Sequence, residues 1–216
     1  MKGFFFDGEL EDNYWGHIFA ETYKEKIYDP FLRGKKDLTI VEIGANVGIV
    51  SYYFSQFAKT VFAIEPAMEH FACLSYMLEY NEVKNVKPIR KAIHIENKQL
   101  PFFHNKNRTM WSLHQAVSDP NLPSEMVEAI TLDKLFEDEG IEHVDLLKAD
   151  PEGSEIEIFS SEGFSKVASK IDVVVGEAHD WAGRNFNQLR EAFKNNGFDF
   201  EWVPNDAHIY IARRKK

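Results

Sequence analysis

Between Asp37 and Pro66 the chain reads D-L-T-I-V-E-I-G-A-N-V-G-I-V-S-Y-Y-F-S-Q-F-A-K-T-V-F-A-I-E-P, and no other stretch restricts the fold as strongly. Leu38 to Ile43 is an apolar run broken only by Thr39 and Glu42, the length of a strand buried on both faces of a parallel sheet. Gly44 and Gly48 bracket a tight turn, after which Ile49, Val50, Tyr53, Phe54 and Phe57 recur at helical spacing. A second buried run, Thr60 to Ile64, ends on Glu65. Strand, glycine turn, helix, strand and acid form the plan of a nucleotide-binding βαβ half.

Each part has a chemical reason. Gly44 lacks a Cβ, so the chain can turn sharply and a ligand can come close to the backbone. The following helix is expected to direct free N–H groups and its positive dipole end at that ligand. Glu65, at the tip of its strand, is placed to accept both hydroxyls of a ribose. Glu42 ends an otherwise apolar strand and is costly to bury unless a cation or hydrogen-bond donors meet it. A cofactor with both a ribose and an amino-acid ammonium satisfies both acids, and S-adenosylmethionine is one.

V-E-I-G-A-N-V-G resembles motif I of class I S-adenosylmethionine-dependent methyltransferases in its G-A-N-x-G form. With I-E-P at Glu65, A-D-P-E-G-S-E at Ala149 to Glu155 and G-E-A-H at Gly176 to His179, the chain is similar to the FkbM-type methyltransferases over about residues 38 to 213. G-x-G-x-x-G of the dehydrogenases is absent, since Asn46 stands where they keep a glycine. The resemblance implies an α/β fold of three layers, Rossmann-like, with a mostly parallel seven-stranded sheet ending in an antiparallel hairpin. It implies a cofactor site at Glu42, Gly44, Ala45, Asn46, Gly48, Glu65 and Pro66, with Ala92 beside the adenine and Asp150 at the methionine end. It also implies O-methylation, commonly of sugar or polyketide hydroxyls.

Length favours one domain: an N-terminal helical lid or extension over residues 1–36 and a methyltransferase domain over 37–216. A formal charge of −10, from 25 basic and 35 acidic side chains, argues against non-specific nucleic-acid binding and favours small or neutral acceptors. No apolar stretch approaches a membrane span of roughly 20 residues, and M-K-G-F-F-F-D-G-E is too short in its apolar part for a signal peptide. The lone Cys73 cannot form an internal disulfide, which fits a reducing cytoplasm.

Tyr14 to Leu32 reads as one amphipathic helix, either packed on the sheet or lying as a lid over the substrate pocket. In the second case Phe4, Phe5, Phe6, Tyr14 and Trp15 are candidate pocket aromatics. Pro66 to Tyr80 reads as a helix and Val86 to Ile95 as a third strand. Leu100 to Ala116 reads as a hairpin turning at Asn105 to Asn107, and His104, Trp111, Ser112 and His114 either fill space or reach over the site. Met126 to Thr131 reads as an edge strand, followed by a helix from Thr131. Val144 to Ala149 and Ile171 to Val175 are the fourth and fifth parallel strands. Trp181 to Asn196 forms a helix closed by Gly197. Phe198 to Val203 and Ala207 to Ala212 form a closing hairpin.

Ligands in open α/β sheets lie beyond the carboxyl ends of the strands, and Glu42, Glu65, Asp150, Glu177 and His179 are expected to converge there. Asp150 has two readings: cap of a helix beginning at Pro151, or partner of the cofactor near the methyl group, with Glu152 close by. Ser154 and Glu157 could instead form a capping box. The Asp-Pro pair also begins the D/N-P-P-Y/F motif of amino-group methyltransferases, but Glu152 and Gly153 leave that motif without its stacking platform. His179 is a surface histidine, a base taking the proton of an alcohol, or, with Asp150 and Glu177, a ligand of a divalent metal. The sequence therefore points to an enzyme that O-methylates a small molecule or glycan, with Asp150 and His179 as catalytic residues. A non-catalytic S-adenosylmethionine-binding module and a nucleic-acid methyltransferase are the alternatives.

Overall fold

The computed structural model describes residues 14–107, 110–115, 119, 121–179, 186–203 and 208–215. In chain order, helices α1 (Tyr14–Phe19) and α2 (Asp29–Leu32) precede β1 (Leu38–Ile43), α3 (Ile49–Phe54), β2 (Ala58–Ile64), α4 (Met68–Tyr80) and β3 (Val86–Ile89). Next come β4 (Ala92–Ile93), β5 (Lys98–Phe103), β6 (Ser124–Ile130), α5 (Leu132–Glu139) and β7 (Leu146–Ala149). The chain ends with α6 (Glu155–Phe159), α7 (Glu162–Val167), β8 (Val173–Glu177), α8 (Phe186–Asn195), β9 (Phe198–Trp202) and β10 (Ile209–Arg214).

Seven strands form the main sheet in the order β3-β2-β1-β7-β8-β10-β9. All neighbours run parallel except β10, which is antiparallel to both β8 and β9. The alternation within β1 explains the layering. Val41 and Ile43 pack into a core with Leu132, Phe136, Phe159 and Phe193, whereas Leu38 and Ile40 pack into another with Tyr28, Val50, Phe54 and Leu74. Helices α5 to α8 thus cover one face, and the N-terminal segment with α3 and α4 covers the other. Each fully buried side chain such as Phe54 or Phe159 contributes about 1.5–3 kcal/mol. Strand order reverses between β1 and β7, so a crevice opens at their carboxyl ends. No helix among the described residues is long and apolar enough to cross a membrane.

Several elements differ from their sequence-based expectation. Tyr14 to Leu32 is not one helix: α1 continues as a π-helical turn over Ala20–Glu25, Lys26 adopts a left-handed conformation (φ 57°), and α2 restarts around Pro30. The expected strand Val86 to Ile95 is split. Its first half ends the main sheet as β3, and Ala92–Ile93 joins a separate sheet of order β4-β6-β5. Strand β6 is therefore the middle strand of that sheet and not an edge. The expected hairpin after Leu100 is reduced to one bridge, Phe103 with Ser112, because β5 pairs along its length with β6. Gly176 and Glu177 lie within β8 rather than after it. The closing hairpin forms, while residues 180–185 and 204–207 lie outside the described residues.

Candidate active site

The glycine turn after β1 is held by close approach of the chain to itself. Gly44 has φ +77°, and a Cβ there would fall 2.1 Å from the carbonyl oxygen of Asp150. The space left by the missing side chain is thus taken by the loop after β7, not by a ligand. The turn's own N–H groups are taken up within the protein. Those of Gly44 and Ala45 donate to Ile64 O, that of Asn46 to Glu65, that of Val47 to Asn46 Oδ1 and that of Gly48 to Ala45 O. Asn46 sits at φ 50°, a left-handed conformation that asparagine tolerates, which explains why no glycine is needed there. Gly48 has φ +91°, a left-handed backbone that favours glycine, and a Cβ there would also press the side-chain ends of Met77 (2.5 Å) and Leu74 (2.6 Å) on α4.

Glu65 is buried, with Oε2 accepting from Asn46 N (2.8 Å) and Oε1 from Ala67 N (2.9 Å). Two backbone bonds fix the carboxylate, and each oxygen retains a second lone pair. Glu42 is fully buried, with Oε2 accepting from Ser51 Oγ at 2.5 Å and Oε1 without a hydrogen-bond partner among the described residues. Lys148, opposite Glu42 across the β1–β7 register, donates to Gly44 O (2.8 Å) and pairs with Asp150 Oδ2 (3.3 Å). Burial pushes the Glu42 carboxyl up to about 7, partly offset by Lys148 and the Ser51 bond, with Asp150 and Glu65 raising it further.

Because the folded-state pKa of Glu42 is raised, its contribution to stability is fully present below the unfolded value near 4.5 and is lost as pH rises through about 7. A shift of this size corresponds to about 3 kcal/mol. Thermal melts of the ligand-free chain between pH 5 and 8 should fall in a component that Glu42→Gln removes. Identical pH slopes in both proteins would contradict this.

Asp150 does not cap a helix. Glu152 (φ 52°) and Gly153 (φ 101°) are left-handed, which no right-handed helix accommodates, so α6 starts only at Glu155. Ser154 makes no side-chain cap bond, and the expected capping box is absent. The loop instead brings acids around His179. His179 Nδ1 lies 2.7 Å from Glu155 Oε1, while Nε2 faces Glu152 Oε2 at 3.3 Å and Asp150 Oδ1 at 3.8 Å. Glu155 is buried and also accepts from Gly153 N (2.9 Å). Burial opposes charge on His179, but the Glu155 bond and the Glu152 and Asp150 carboxylates outweigh it and hold its pKa up to about 10. Burial, then Asp150, lifts the carboxyls of Glu152 and Glu177 above the usual range.

A cavity of about 1210 Å³ opens on this wall and is lined by Glu42, Gly44, Ala45, Asn46, Asp150, Glu177 and His179. Its other side is the N-terminal segment, where Trp15 Nε1 donates to Asn46 Oδ1 at 3.2 Å. That segment both packs on the sheet, through Tyr28, Phe31 and Leu32, and walls the cavity. Phe4, Phe5 and Phe6 lie outside the described residues, as does the side chain of Tyr14. A narrow cleft of about 50 Å³ continues from Gly44, Asn46 and Asp150 to Glu65, Pro66 and Ala92. The expected acids thus converge on two adjoining spaces, with Glu65 on the narrow side and Glu177 and His179 on the wide one. Trp111 lines the cleft, stacked between His70 (4.5 Å) and His104 (3.8 Å). Ser112 Oγ donates to Glu152 O (2.6 Å), and His114 Nε2 lies 3.2 Å from Ser154 Oγ, so this segment latches the acidic loop. Sequence reasoning missed Ser51, His70, Lys148 and the orienting role of Glu155. A charged residue inside the apolar run of β7 was the one available signal.

The family model described as Methyltransferase FkbM domain matches residues 42–200. The chain is 24% identical to methyltransferase sdnD of Sordaria araneosa, over 92% of this chain and 89% of that protein. It is 26% identical to methyltransferase 1 of Beauveria bassiana, with the same coverage. Among solved structures it resembles methyltransferase FkbM of Methylobacillus flagellatus (TM-score 0.58, 12% identity), covering 90% of this chain and 47% of that one. It also resembles SMU.1697c of Streptococcus mutans, solved with S-adenosylhomocysteine (TM-score 0.53, 11% identity), covering 88% and 97%. The sheet order, the closing hairpin and the matched span agree: the chain belongs to the FkbM family of S-adenosylmethionine-dependent methyltransferases.

Proposed function

We propose that the chain transfers the methyl group of S-adenosylmethionine to a hydroxyl oxygen of a small molecule or glycan. In this reading residues 37–216 carry the reaction and the N-terminal segment is a lid on the acceptor side. The observation that carries it is Glu42, a buried residue of the lining of a cavity that adjoins the Glu65 cleft, whose Oε1 has no hydrogen-bond partner among the described residues. A ligand ammonium supplies what that oxygen lacks, and the remaining lone pairs of Glu65 suit a ribose diol. That SMU.1697c, similar in fold, was solved with S-adenosylhomocysteine supports the same choice of cofactor. Pro66 and Ala92 would flank the adenine, and Asp150 would lie near the methionine end.

The bound cofactor supplies an already activated methyl group, so the chain's task is positioning and proton handling. With a pKa of about 10, His179 is charged at neutral pH in this arrangement and is not itself a ready base. Asp150, whose Oδ1 has no hydrogen-bond donor among the described residues, is the group that would take the acceptor's proton, and the His179 charge steadies it. The volume of the large cavity leaves room for an acceptor beside a cofactor.

The test is transfer of labelled methyl from S-adenosylmethionine to panels of hydroxylated small molecules, glycans, amines and nucleic acids. Label in hydroxyl-bearing acceptors is expected. Label confined to amines or nucleic acids would overturn the O-methylation reading, and cofactor binding with no transfer to any panel would indicate a binding module.

A further inference from the structure

We propose that Asp150, Glu152 and His179 together bind a divalent cation on the wall of the large cavity. The inference rests on the methyl-transfer reading and adds a second cofactor to it. Asp150, Glu152 and His179 each offer one ligand atom within 4.8 Å of the other two, close enough for one ion to touch all three, and His179 Nε2 stands 3.3 Å from Glu152 Oε2 and 3.8 Å from Asp150 Oδ1. Both carboxylate oxygens are buried and have no hydrogen-bond donor among the described residues, although each faces His179. Buried oxygens of this kind are costly unless a cation satisfies them.

The surroundings are arranged as a metal's outer shell would be. Nδ1 of His179 is held by buried Glu155, which is fixed in turn by the Gly153 N–H, so Nε2 is aimed at Glu152 Oε2 and Asp150 Oδ1. Carboxylates that orient a ligating imidazole through its other nitrogen are a recurring feature of metal sites. The left-handed backbone at Glu152 and Gly153, together with the Ser112 bond to Glu152 O, fixes the loop that presents the carboxylates. One imidazole and two carboxylates favour a first-row ion such as Mn²⁺ over Ca²⁺. An ion here would displace the Nε2 proton of His179, take up Asp150 Oδ1 in place of its proton-accepting role, and leave positions open toward the cavity, where it could polarise and acidify the acceptor hydroxyl.

A second grouping, His143, Asp145 and Asp172, lies at the amino ends of β7 and β8. It is more exposed and none of its oxygens is among the buried unpartnered atoms, so it serves as the control. Calorimetric titration of the full chain with MnCl₂, run beside titration with S-adenosylhomocysteine, tests the proposal. Wild type should bind one Mn²⁺. Glu152→Gln should lose that binding while still binding S-adenosylhomocysteine, which shows that it is folded. Glu155→Gln should weaken Mn²⁺ by about 10- to 100-fold, and Asp172→Asn should leave it unchanged. Absence of Mn²⁺ binding in wild type, unaltered binding in Glu152→Gln, or loss in Asp172→Asn would each overturn the site. Mn²⁺ binding without S-adenosylhomocysteine binding would uphold the cation and remove the methyl-transfer reading beneath it.

Discussion

Gly44→Ala is expected to melt roughly 10 °C below wild type, whereas Gly34→Ala should lose only a few degrees. The two glycines share φ +77°, so an alanine at either carries the same left-handed strain, on the order of 1–2 kcal/mol. They differ in their surroundings. Nothing lies within 4 Å of a Cβ at position 34, but at position 44 the carbonyl oxygen of Asp150 lies 2.1 Å away. That oxygen is backbone at the end of β7, next to Lys148, whose ammonium is itself bonded to Gly44 O. Relief would therefore require the two central strands to part at their carboxyl ends. Overpacking of this kind adds about 1–3 kcal/mol, which brings the total for Gly44→Ala to about 2–5 kcal/mol. Circular dichroism melts of both variants decide it, and equal losses would show that the β1–β7 contact yields freely.

Asp150→Ala should lower methyl transfer by about 10²- to 10⁴-fold, the range for removing a positioned proton acceptor. The side chain stands where the narrow cleft and the large cavity meet and lines both. It is also tied to Lys148 on one oxygen and faces His179 with the other. The loss should fall mainly on kcat and exceed any loss of S-adenosylhomocysteine affinity, because the acceptor's proton is handled only as the methyl moves. Asp150→Asn, which keeps the shape and removes the charge, should be nearly as slow. A fall below tenfold in either variant, or one confined to KM, would move the chemistry to another group on the wall.

The sequence exposed those features that punctuate an apolar run. Glu42 and Glu65 each close a buried strand, and Gly44 marks the turn between them, so the crevice could be placed before any geometry was known. Contacts made across elements were hidden. Lys148 meets Glu42 only because β1 and β7 pair in one register, and nothing in V-D-L-L-K-A announces that partner. The late start of α6 depends on two positive φ values, of which only that of Gly153 has a residue type to suggest it. The split of Val86 to Ile95 falls at Arg90 and Lys91, where no glycine or proline signals a break. Pro30 stands at the start of α2 and is a break signal that the reading of Tyr14 to Leu32 as one helix left unused, because it followed the amphipathic spacing of Ile18, Tyr23, Ile27 and Phe31. Those side chains do face the core, although the helix that was to carry them is interrupted.

The central claim is that the crevice at the carboxyl ends of the central strands grips a sulfonium nucleoside through Glu65, at the end of β2. Its most direct test is calorimetric titration of S-adenosylhomocysteine into wild type and Glu65→Ala, with NAD as the competing ligand. Charge-assisted hydrogen bonds of about 1.5–3 kcal/mol to the ribose hydroxyls predict at least a tenfold loss in the variant, checked as folded by circular dichroism, and no NAD binding. Undiminished affinity in Glu65→Ala, or binding of NAD in place of S-adenosylhomocysteine, would contradict the account.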